Sequence, residues 1–337
     1  MRDDVILLDH GSGGLASAEL ISQIFLTRYG NPVLAELEDS AILDRPAGRI
    51  AFTTDGYVVD PIFFPGGDIG SLAVHGTVND LAMRGAVPLS LSVSFIFEEG
   101  LPVRTIEQIA SSIAQATARA RVSISAGDTK VVPRGKADKV FITTSGLGVV
   151  PDGVELSTKR ARPGDRILVS GTIGDHGATI LTQRSGLTFS GGLASDTAPL
   201  HDLVRSILEG ATGAVRAFRD PTRGGVATVL CEIASRSGLE IEVDEASIPI
   251  RPEVASACEI LGLDPLYLAN EGKCIAVVSP DMAKDVEGLM HARPEGQEAA
   301  VIGEVRDGRP GRVILRTAAG GLRVLRPLSG MPLPRIC

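Results

Sequence analysis

Leu89-Ser90-Leu91-Ser92-Val93-Ser94-Phe95-Ile96-Phe97 is the clearest β signal in the chain. Leu89, Leu91, Val93, Phe95 and Phe97 fall at every second position, and Ile96 alone among the intervening residues is apolar. A period of two predicts a strand with one strongly buried face. Upstream, Asp68 is placed to cap a helix that buries Ile69, Leu72, Ala73, Val78 and Leu81 and closes near Gly85. Downstream, Ile106, Ile109, Ala110, Ile113 and Ala114 predict a helix over about 102–120. A strand at 122–126, ending in Ala126-Gly127-Asp128-Thr129-Lys130, and another at 139–149 follow.

Further out, Ser17 is expected to cap an N-terminal helix carrying Ile21, Ile24, Phe25 and Tyr29, with short strands around 33–37 and 49–54. Gly11-Ser12-Gly13-Gly14-Leu15-Ala16 formally fits a dinucleotide fingerprint. The apolar run before it is short and no βαβαβ half follows, so it is read as a glycine-rich arm. Composition shifts at 150–165, which marks a boundary. Beyond it the pattern predicts a strand at 166–170 and helices at 174–185 and 197–209, then a glycine-rich turn, Asp220-Pro221-Thr222-Arg223-Gly224-Gly225, opening a helix to about 236. Alternating strands and helices continue through Ile302, and strands near 312–316 and 322–326 close the pattern. Both halves are α+β. The organisation expected is an arm and helix (1–35), an N-terminal domain (36–152), a C-terminal α+β domain (153–326) and an extended tail (327–337).

The bulk properties narrow the function. The chain has 337 residues, long enough for two cores, and is 44% hydrophobic and 22% charged. A net charge of −8 argues against nucleic acid or an anionic membrane as partner. Four cysteines without a CxxC, no signal-peptide pattern and no long apolar run point to a reducing cytoplasm. Cys231 and Cys258 are expected in helices and Cys274 in a strand, all structural.

The last eleven residues, Pro327-Leu328-Ser329-Gly330-Met331-Pro332-Leu333-Pro334-Arg335-Ile336-Cys337, contain three prolines. They exclude a helix and predict a solvated, semi-rigid arm. Its full reach is roughly 35 Å. A terminal thiol on such an arm is either an accident of the chain end or a carrier.

No P-loop is present, so nucleotide phosphates need other holders. Asp39, Asp55, Asp80 and Asp128 each stand where a strand or helix ends or, for Asp80, inside a helix beside Asn79. Carboxylates converging on a Mg²⁺–triphosphate is one reading, and turn or cap residues is the other. Lys130 and Arg223 are either phosphate-facing cations or solvated charges.

These residues carry a resemblance. Gly70-Ser71-Leu72-Ala73-Val74-His75-Gly76-Thr77-Val78-Asn79-Asp80-Leu81-Ala82-Met83-Arg84-Gly85-Ala86, with Thr53-Thr54-Asp55-Gly56 before and Ala126-Gly127-Asp128-Thr129-Lys130-Val131-Val132 after, resembles the aminoimidazole ribonucleotide synthetase-like (PurM-like) superfamily. Within it, His10-Gly11-Ser12-Gly13-Gly14, Asp220 to Gly225, Asn270-Glu271-Gly272 and Pro334-Arg335-Ile336-Cys337 resemble the HypE family of hydrogenase maturation factors. Sister families such as selenophosphate synthetase and thiamine-monophosphate kinase lack the terminal tetrapeptide. Where several sisters have paired aspartates early in the chain, this one has Glu38-Asp39-Ser40, leaving Asp39 as the expected ligand.

The resemblance implies a two-domain fold whose N-terminal sheet pairs with a second subunit's in a barrel-forming homodimer. It implies ATP and Mg²⁺ held by Asp39, Asp55, Asp80 and Asp128 as metal ligands, with Asn79, Thr129 and Gly224 alongside. It also implies that Cys337 receives a carbamoyl group from the carbamoyltransferase HypF. ATP-driven dehydration then turns the thiocarboxamide into a thiocyanate, whose cyanide passes to a HypC–HypD iron scaffold for [NiFe] hydrogenase. Such a step needs cations on the γ-phosphate, for which Lys130 and Arg223 are candidates, and a base. Glu271 is the first choice and His10 the second; the alternative for Glu271 is a salt bridge to Lys273. Two rivals remain open at this point: a small-molecule kinase such as thiamine-monophosphate kinase, and a non-enzymatic scaffold with a metal-binding tail.

Overall fold

The computed structural model describes residues 4–38, 40–44, 47–189, 191–329 and 335–337. The alternating stretch lies in β4 (Val87–Glu98), the long inner strand of a four-stranded sheet. Its companions are β1 (Arg49–Tyr57), β5 (Ser123–Val132) and β6 (Val140–Val150), ordered β1-β6-β4-β5, with a short hairpin of β2 (Phe63–Phe64) and β3 (Gly67–Asp68) after β1. β4 runs parallel to β5 and antiparallel to β6.

Leu91, Val93, Phe95 and Phe97 are buried as the period requires, but Leu89 is exposed. The cause is a register shift: Pro88 pairs with Gly148 and Ser90 with Leu147, so Leu89 is the extra residue of a bulge and faces the other way. Helices α3 (Ile69–Met83) and α4 (Val103–Ala120) cover the buried face, and Asp68 caps α3 by accepting from the N–H groups of Gly70 (2.7 Å) and Ser71 (2.9 Å).

The N-terminal segment also packs on this sheet. α1 (Leu15–Leu20) passes through a wider turn at Ile21–Phe25 into α2 (Leu26–Tyr29). Phe25 stacks on Phe95 at 5.1 Å, and Phe95 on Phe97 at 5.2 Å. Ser17 is inside α1 rather than at its cap; its hydroxyl accepts from Gly13 N–H (2.9 Å) and donates to the His10 carbonyl (2.9 Å), folding the glycine-rich arm back on the helix. The strand expected at 33–37 is a tight turn, Leu34–Glu36. The Asn31 side chain accepts from both Val33 and Leu34 N–H, which favours a turn over a ladder.

The second sheet has seven strands, β7 (Arg166–Val169), β8 (Val215–Arg219), β9 (Glu240–Asp244), β10 (Ile275–Val278), β11 (Ala300–Arg306), β12 (Val313–Arg316) and β13 (Leu322–Leu325), in the order β13-β12-β9-β11-β7-β10-β8. Around it lie α5 (Asp175–Ser185), α6 (His201–Gly210), α7 (Gly225–Ser237), α8 (Pro252–Leu261) and α9 (Ala283–His291). The helix expected from 197 begins at His201, and Cys274 stands just before β10 rather than in it; Cys231, Cys258 and Cys274 are all buried. The two cores meet along α3, whose Ala82 and Met83 pack into a cluster with Leu200, Leu203, Val204 and Phe218. Among the described residues, no helix is long and apolar enough to cross a membrane.

The tip of the arm is docked, while its first residues, Pro327 to Ser329, stay exposed or half-buried. Residues 330–334 lie outside the described residues, but Ile336 is buried in the N-terminal core and Cys337 packs against that core. By contrast, the outer face of the first sheet leaves Ile50, Phe52, Val87, Leu89 and Ile96 exposed, with Phe52 at 67%.

Because Phe95 is the middle ring of a fully buried stack, Phe95→Ala should destabilise the protein by about 3–5 kcal/mol, read as a lowered urea midpoint. A loss below about 1 kcal/mol would mean that the stack does not hold the N-terminal segment to the sheet.

Candidate active site

Where β1 and α3 face β8 and the end of α7, a cleft of about 530 Å³ opens between the halves. Thr53, Asp80 and Asp220 stand in its wall with Arg84, Lys159, Arg219 and Arg236. Alternation along β1 turns Thr53, Asp55 and Tyr57 toward α3. Thr53 Oγ1 donates to Asp80 Oδ2 at 2.6 Å, and Thr77 Oγ1 to Asp55 Oδ2 at 3.2 Å. Gly76 makes room for this: a Cβ there would come within 2.3 Å of the Tyr57 hydroxyl.

The carboxyls perturb one another. Burial pushes Asp80 up to about 7, and the charges of Asp220 and Asp55 add to it. Burial likewise raises Asp55, with the Asp220 charge adding and the Thr77 hydrogen bond opposing. Among the described residues no three His, Cys, Asp or Glu side chains gather into a metal-holding cluster. Asp39 lies outside the described residues. Mg²⁺ usually takes only one or two protein carboxylates and completes its shell with water and phosphate, so crowded, mutually repelling Asp55, Asp80 and Asp220 suit it.

Glu271 comes from the C-terminal half. It is buried, with Oε1 unpartnered, and its carboxyl is held well above the usual range by burial and then by the charges of Asp196, Asp220 and Asp55. The loop is fixed from behind: Asp196 accepts from the N–H groups of Glu271 (3.1 Å) and Gly272 (3.2 Å). Gly272 has no space for a side chain, since a Cβ would meet Asp196 O at 1.8 Å. The expected alternative, a Glu271–Lys273 bridge, is not formed: Lys273 pairs with Asp196 at 3.7 Å.

Asn79 also departs from expectation. Both its amide hydrogens are used, on the carbonyls of Ala198 (3.0 Å) and Glu271 (3.1 Å), and its Oδ1 accepts from Leu200 N–H (2.7 Å). It clamps the two halves and leaves no donor for a ligand. Asn270 braces the other side by donating to Pro221 O (2.9 Å) and accepting from Gly174 N–H (2.7 Å). Pro221 lies in the Asp220–Gly225 turn, whose Gly224 has φ +81°.

Cys337 lies close enough to Glu271, Arg223, Asp55 and Asp220 to feel their charges. Its carbonyl accepts from Val58 N–H at 3.0 Å. Burial pushes its thiol up to about 12; the charge of Glu271 raises it further and Arg223 opposes. Arg335 supports the tail by donating to Val58 O (2.9 Å) and pairing with Asp138.

The remaining candidates are elsewhere. Asp128 and Lys130 are exposed on β5 and pair with each other at 2.6 Å. In register, Asp55 is matched through Thr144 and Val93 to Gly127, so three strand spacings, about 14 Å, separate the two groups. Thr129 donates its N–H to Asp128. His10 is buried on the same edge, where Gly11 seats against Lys130 and Val131, and its Nδ1 accepts from Leu7 N–H (3.0 Å). Gly11, Asp128, Thr129 and Lys130 border a second cavity of about 380 Å³ lined by Phe25, Tyr29 and Phe95. Asp220, Asp196 and Thr77 were not anticipated as site residues; Asp220 had a signal, because it opens the glycine-rich turn that holds Arg223.

Profiles of the AIR synthase related protein match residues 37–150 (N-terminal domain) and 162–316 (C-terminal domain). The carbamoyl dehydratase HypE of Bradyrhizobium diazoefficiens is 53% identical over 337 residues, covering 100% of this chain and 97% of its own. A crystal structure of the hydrogenase maturation protein HypE in complex with ATP superposes with TM-score 0.95 at 50% identity, covering 98% of this chain and 99% of that one. A structure of a HypE–HypF complex superposes with TM-score 0.81 at 46% identity, covering 92% and 99%. With half its residues identical to these relatives over its whole length, the chain belongs to the HypE carbamoyl dehydratase family.

Proposed function

We infer that this protein is an ATP-dependent carbamoyl dehydratase acting on its own C-terminus. The observation that carries the reading is the placement of the Cys337 thiol beside Glu271, at the seam that also gathers Asp55, Asp220 and Arg223. A kinase for a free small molecule has no use for a cysteine there, and a passive scaffold has none for a buried carboxyl with an unpartnered oxygen.

The chemistry follows from the groups present. A carbamoyl group on Cys337 is S–C(=O)–NH₂, whose oxygen is a poor leaving group until the γ-phosphoryl of ATP is transferred to it. Arg223 offsets the charge that builds there. Phosphorylation of the oxygen with release of one N–H proton gives S–C(=NH)–O–PO₃; Glu271, ionised, takes the second nitrogen proton, and its burial makes it a stronger base than a solvated carboxylate. Phosphate then departs with the C–O bond electrons, carrying the carbamoyl oxygen, and S–C≡N remains. The cleft basic residues Arg84, Lys159, Arg219 and Arg236 are suited to the polyanionic nucleotide. Mg²⁺, which screens the phosphate charge, would be held by one or two carboxylates among Asp55, Asp80 and Asp220, with Asp39 and, from a second copy, Asp128 as further candidates.

In this reading HypF loads the thiol, as the HypE–HypF complex of a relative supports, and a HypC–HypD scaffold receives the cyanide in the cytoplasm. The exposed apolar face with Ile50 and Phe52 pairs with a second copy in a homodimer. That pairing is also what brings Asp128, Lys130, Thr129 and His10, remote within one chain, into reach of a second site.

Incubating the protein with ATP, Mg²⁺ and the carbamoylating partner should add one CONH₂ to the tail peptide in place of hydrogen and then remove one water. Cys337→Ser should show neither mass change while still binding ATP, because a hydroxyl is a far weaker nucleophile than a thiolate. Water loss in the serine variant would overturn the assignment of the acceptor.

Asp80→Asn should abolish turnover and yet stabilise the metal-free protein near pH 8. Folding raises the Asp80 carboxyl to about 7, so its stabilising effect is complete below the unfolded value near 4 and is lost as pH rises through 7. Asparagine removes that loss, which thermal unfolding at pH 4 through 8 in a chelator would read. Parental turnover, or an unchanged pH slope, contradicts the assigned role.

Phe52→Asp should convert the dimer to monomer in sedimentation velocity at micromolar concentration. A parent protein that is already monomeric there excludes the interface.

A further inference from the structure

The last three residues are held largely through their backbone. Arg335 O accepts from Asp60 N–H (3.3 Å) and from Arg184, and Cys337 O from Val58 N–H (3.0 Å); both N–H groups belong to the N-terminal half. The carbonyl between them, Ile336 O, faces the other half, where His176 Nε2 meets it at 2.7 Å. His176 is the second residue of α5 and is fully buried. Its Nδ1 lies 2.7 Å from Ser195 Oγ, and its ring stands edge-on to Phe64 at 5.5 Å and 85°.

We propose that His176 is the positioning residue of the tail: a neutral imidazole whose Nε2–H grips the Ile336 carbonyl and thereby sets where the Cys337 sulfur stands against Glu271. For a neutral ring only one arrangement of hydrogens satisfies the group. Ile336 O has no hydrogen to give, so Nε2 must carry the proton and Nδ1 must accept from the Ser195 hydroxyl. Ser195 is itself fixed, since its Oγ accepts from Thr197 N–H (3.2 Å) and its N–H donates to Pro65 O (2.8 Å). Burial lowers the imidazole from its ordinary value, which keeps it in the neutral form this arrangement requires. The relay Thr197–Ser195–His176–Ile336 ties the docked tail to both halves at once, because Pro65 and Val58 lie on one and His176 on the other. The tail therefore seats fully only when the cleft between the halves is in the arrangement seen here. His176 touches neither the carbamoyl group nor nucleotide, and its action is through the tail backbone.

This rests on the dehydratase reading, and the test separates the two. His176→Leu removes the donor, while His176→Gln places an amide N–H near the position of Nε2. In the full chain, alkylation of Cys337 by iodoacetamide at pH 8 reports docking without any turnover. In His176→Leu it should rise about 10-fold, the loss expected for one buried hydrogen bond. The rate of water loss from a pre-carbamoylated tail should fall by a similar factor, with the KM for ATP unchanged. His176→Gln should restore both to within about threefold. Ser195→Ala, which frees the tautomer, should lie between parent and His176→Leu, and it decides the matter if the leucine variant does not fold. Parental alkylation and water loss in His176→Leu overturn the proposal, as do equal losses in the leucine and glutamine variants or a KM that rises with the fall in rate. If the parent loses no water at all, the dehydratase reading fails, and the alkylation series still judges the latch.

Discussion

Carboxyl groups crowded into a half-dry seam are the constraint that the rest of the molecule accommodates. Asp55, Asp80, Asp220 and Glu271 each raise a neighbour's proton affinity, and hydrogen bonds from Thr53 and Thr77 with the charges of Arg219 and Arg223 oppose them. Taking charge out of water without a partner costs several kcal/mol per group, so an isolated fold would not keep such a cluster. It persists because the side chains are overdetermined from behind. Thr53 and Thr77 hold two of the carboxyls, Asp196 holds the loop that carries Glu271, and Asn79 and Asn270 tie that loop to α3 and to the turn at Pro221. The unfavourable site and the rigid frame are two aspects of one arrangement, in which binding a cationic metal–nucleotide pair relieves the repulsion.

That frame explains which parts of the sequence could be read. Wherever burial on one face sets the residue pattern, the period was legible: α4 follows it, as does β4 from Leu91 on, whereas α3 is buried on most of its surface. It failed where one local hydrogen bond decided the backbone. A bulge at Leu89 reversed that residue's direction, and the Asn31 side chain turned 33–37 into a tight turn. Asn79-Asp80 inside a helix was informative for the reason expected, since neither residue favours that setting. Their roles divide, however. Asp80 faces the cleft, while Asn79 joins the halves, a contact between positions more than a hundred residues apart that no local pattern encodes.

Resemblance supplied what periodicity could not, and it too has a limit within one chain. The motifs carrying Asp55 and Asp80 come together, whereas those carrying Asp128, Lys130 and His10 gather on the opposite edge of the same sheet. A motif marks a residue's type and setting; it does not say which molecule's site that residue serves. Asp220 and His176 show the converse. Each is essential to the geometry described above; Asp220 is marked only by the glycine-rich turn it opens, and His176, second in its helix, has no spacing that distinguishes it from an ordinary core residue.

The tail carries the sharpest opposing demands. A docked Cys337 thiol near 12 has almost no thiolate at neutral pH, so it is protected in the site but cannot be loaded there. Loading requires the arm to leave, and dehydration requires it to return, so docking must be weak enough to reverse. Burying Ile336 contributes about 1.5–3 kcal/mol, and each tail hydrogen bond about 0.5–1.5. Backbone entropy lost on docking opposes these gains, and prolines lower that loss by narrowing the undocked ensemble. An all-glycine arm of equal reach would lose too much freedom on docking, and a second buried anchor would hold the thiol where the carbamoyl donor cannot find it. A proline-rich segment with one apolar anchor and backbone-held ends meets both demands.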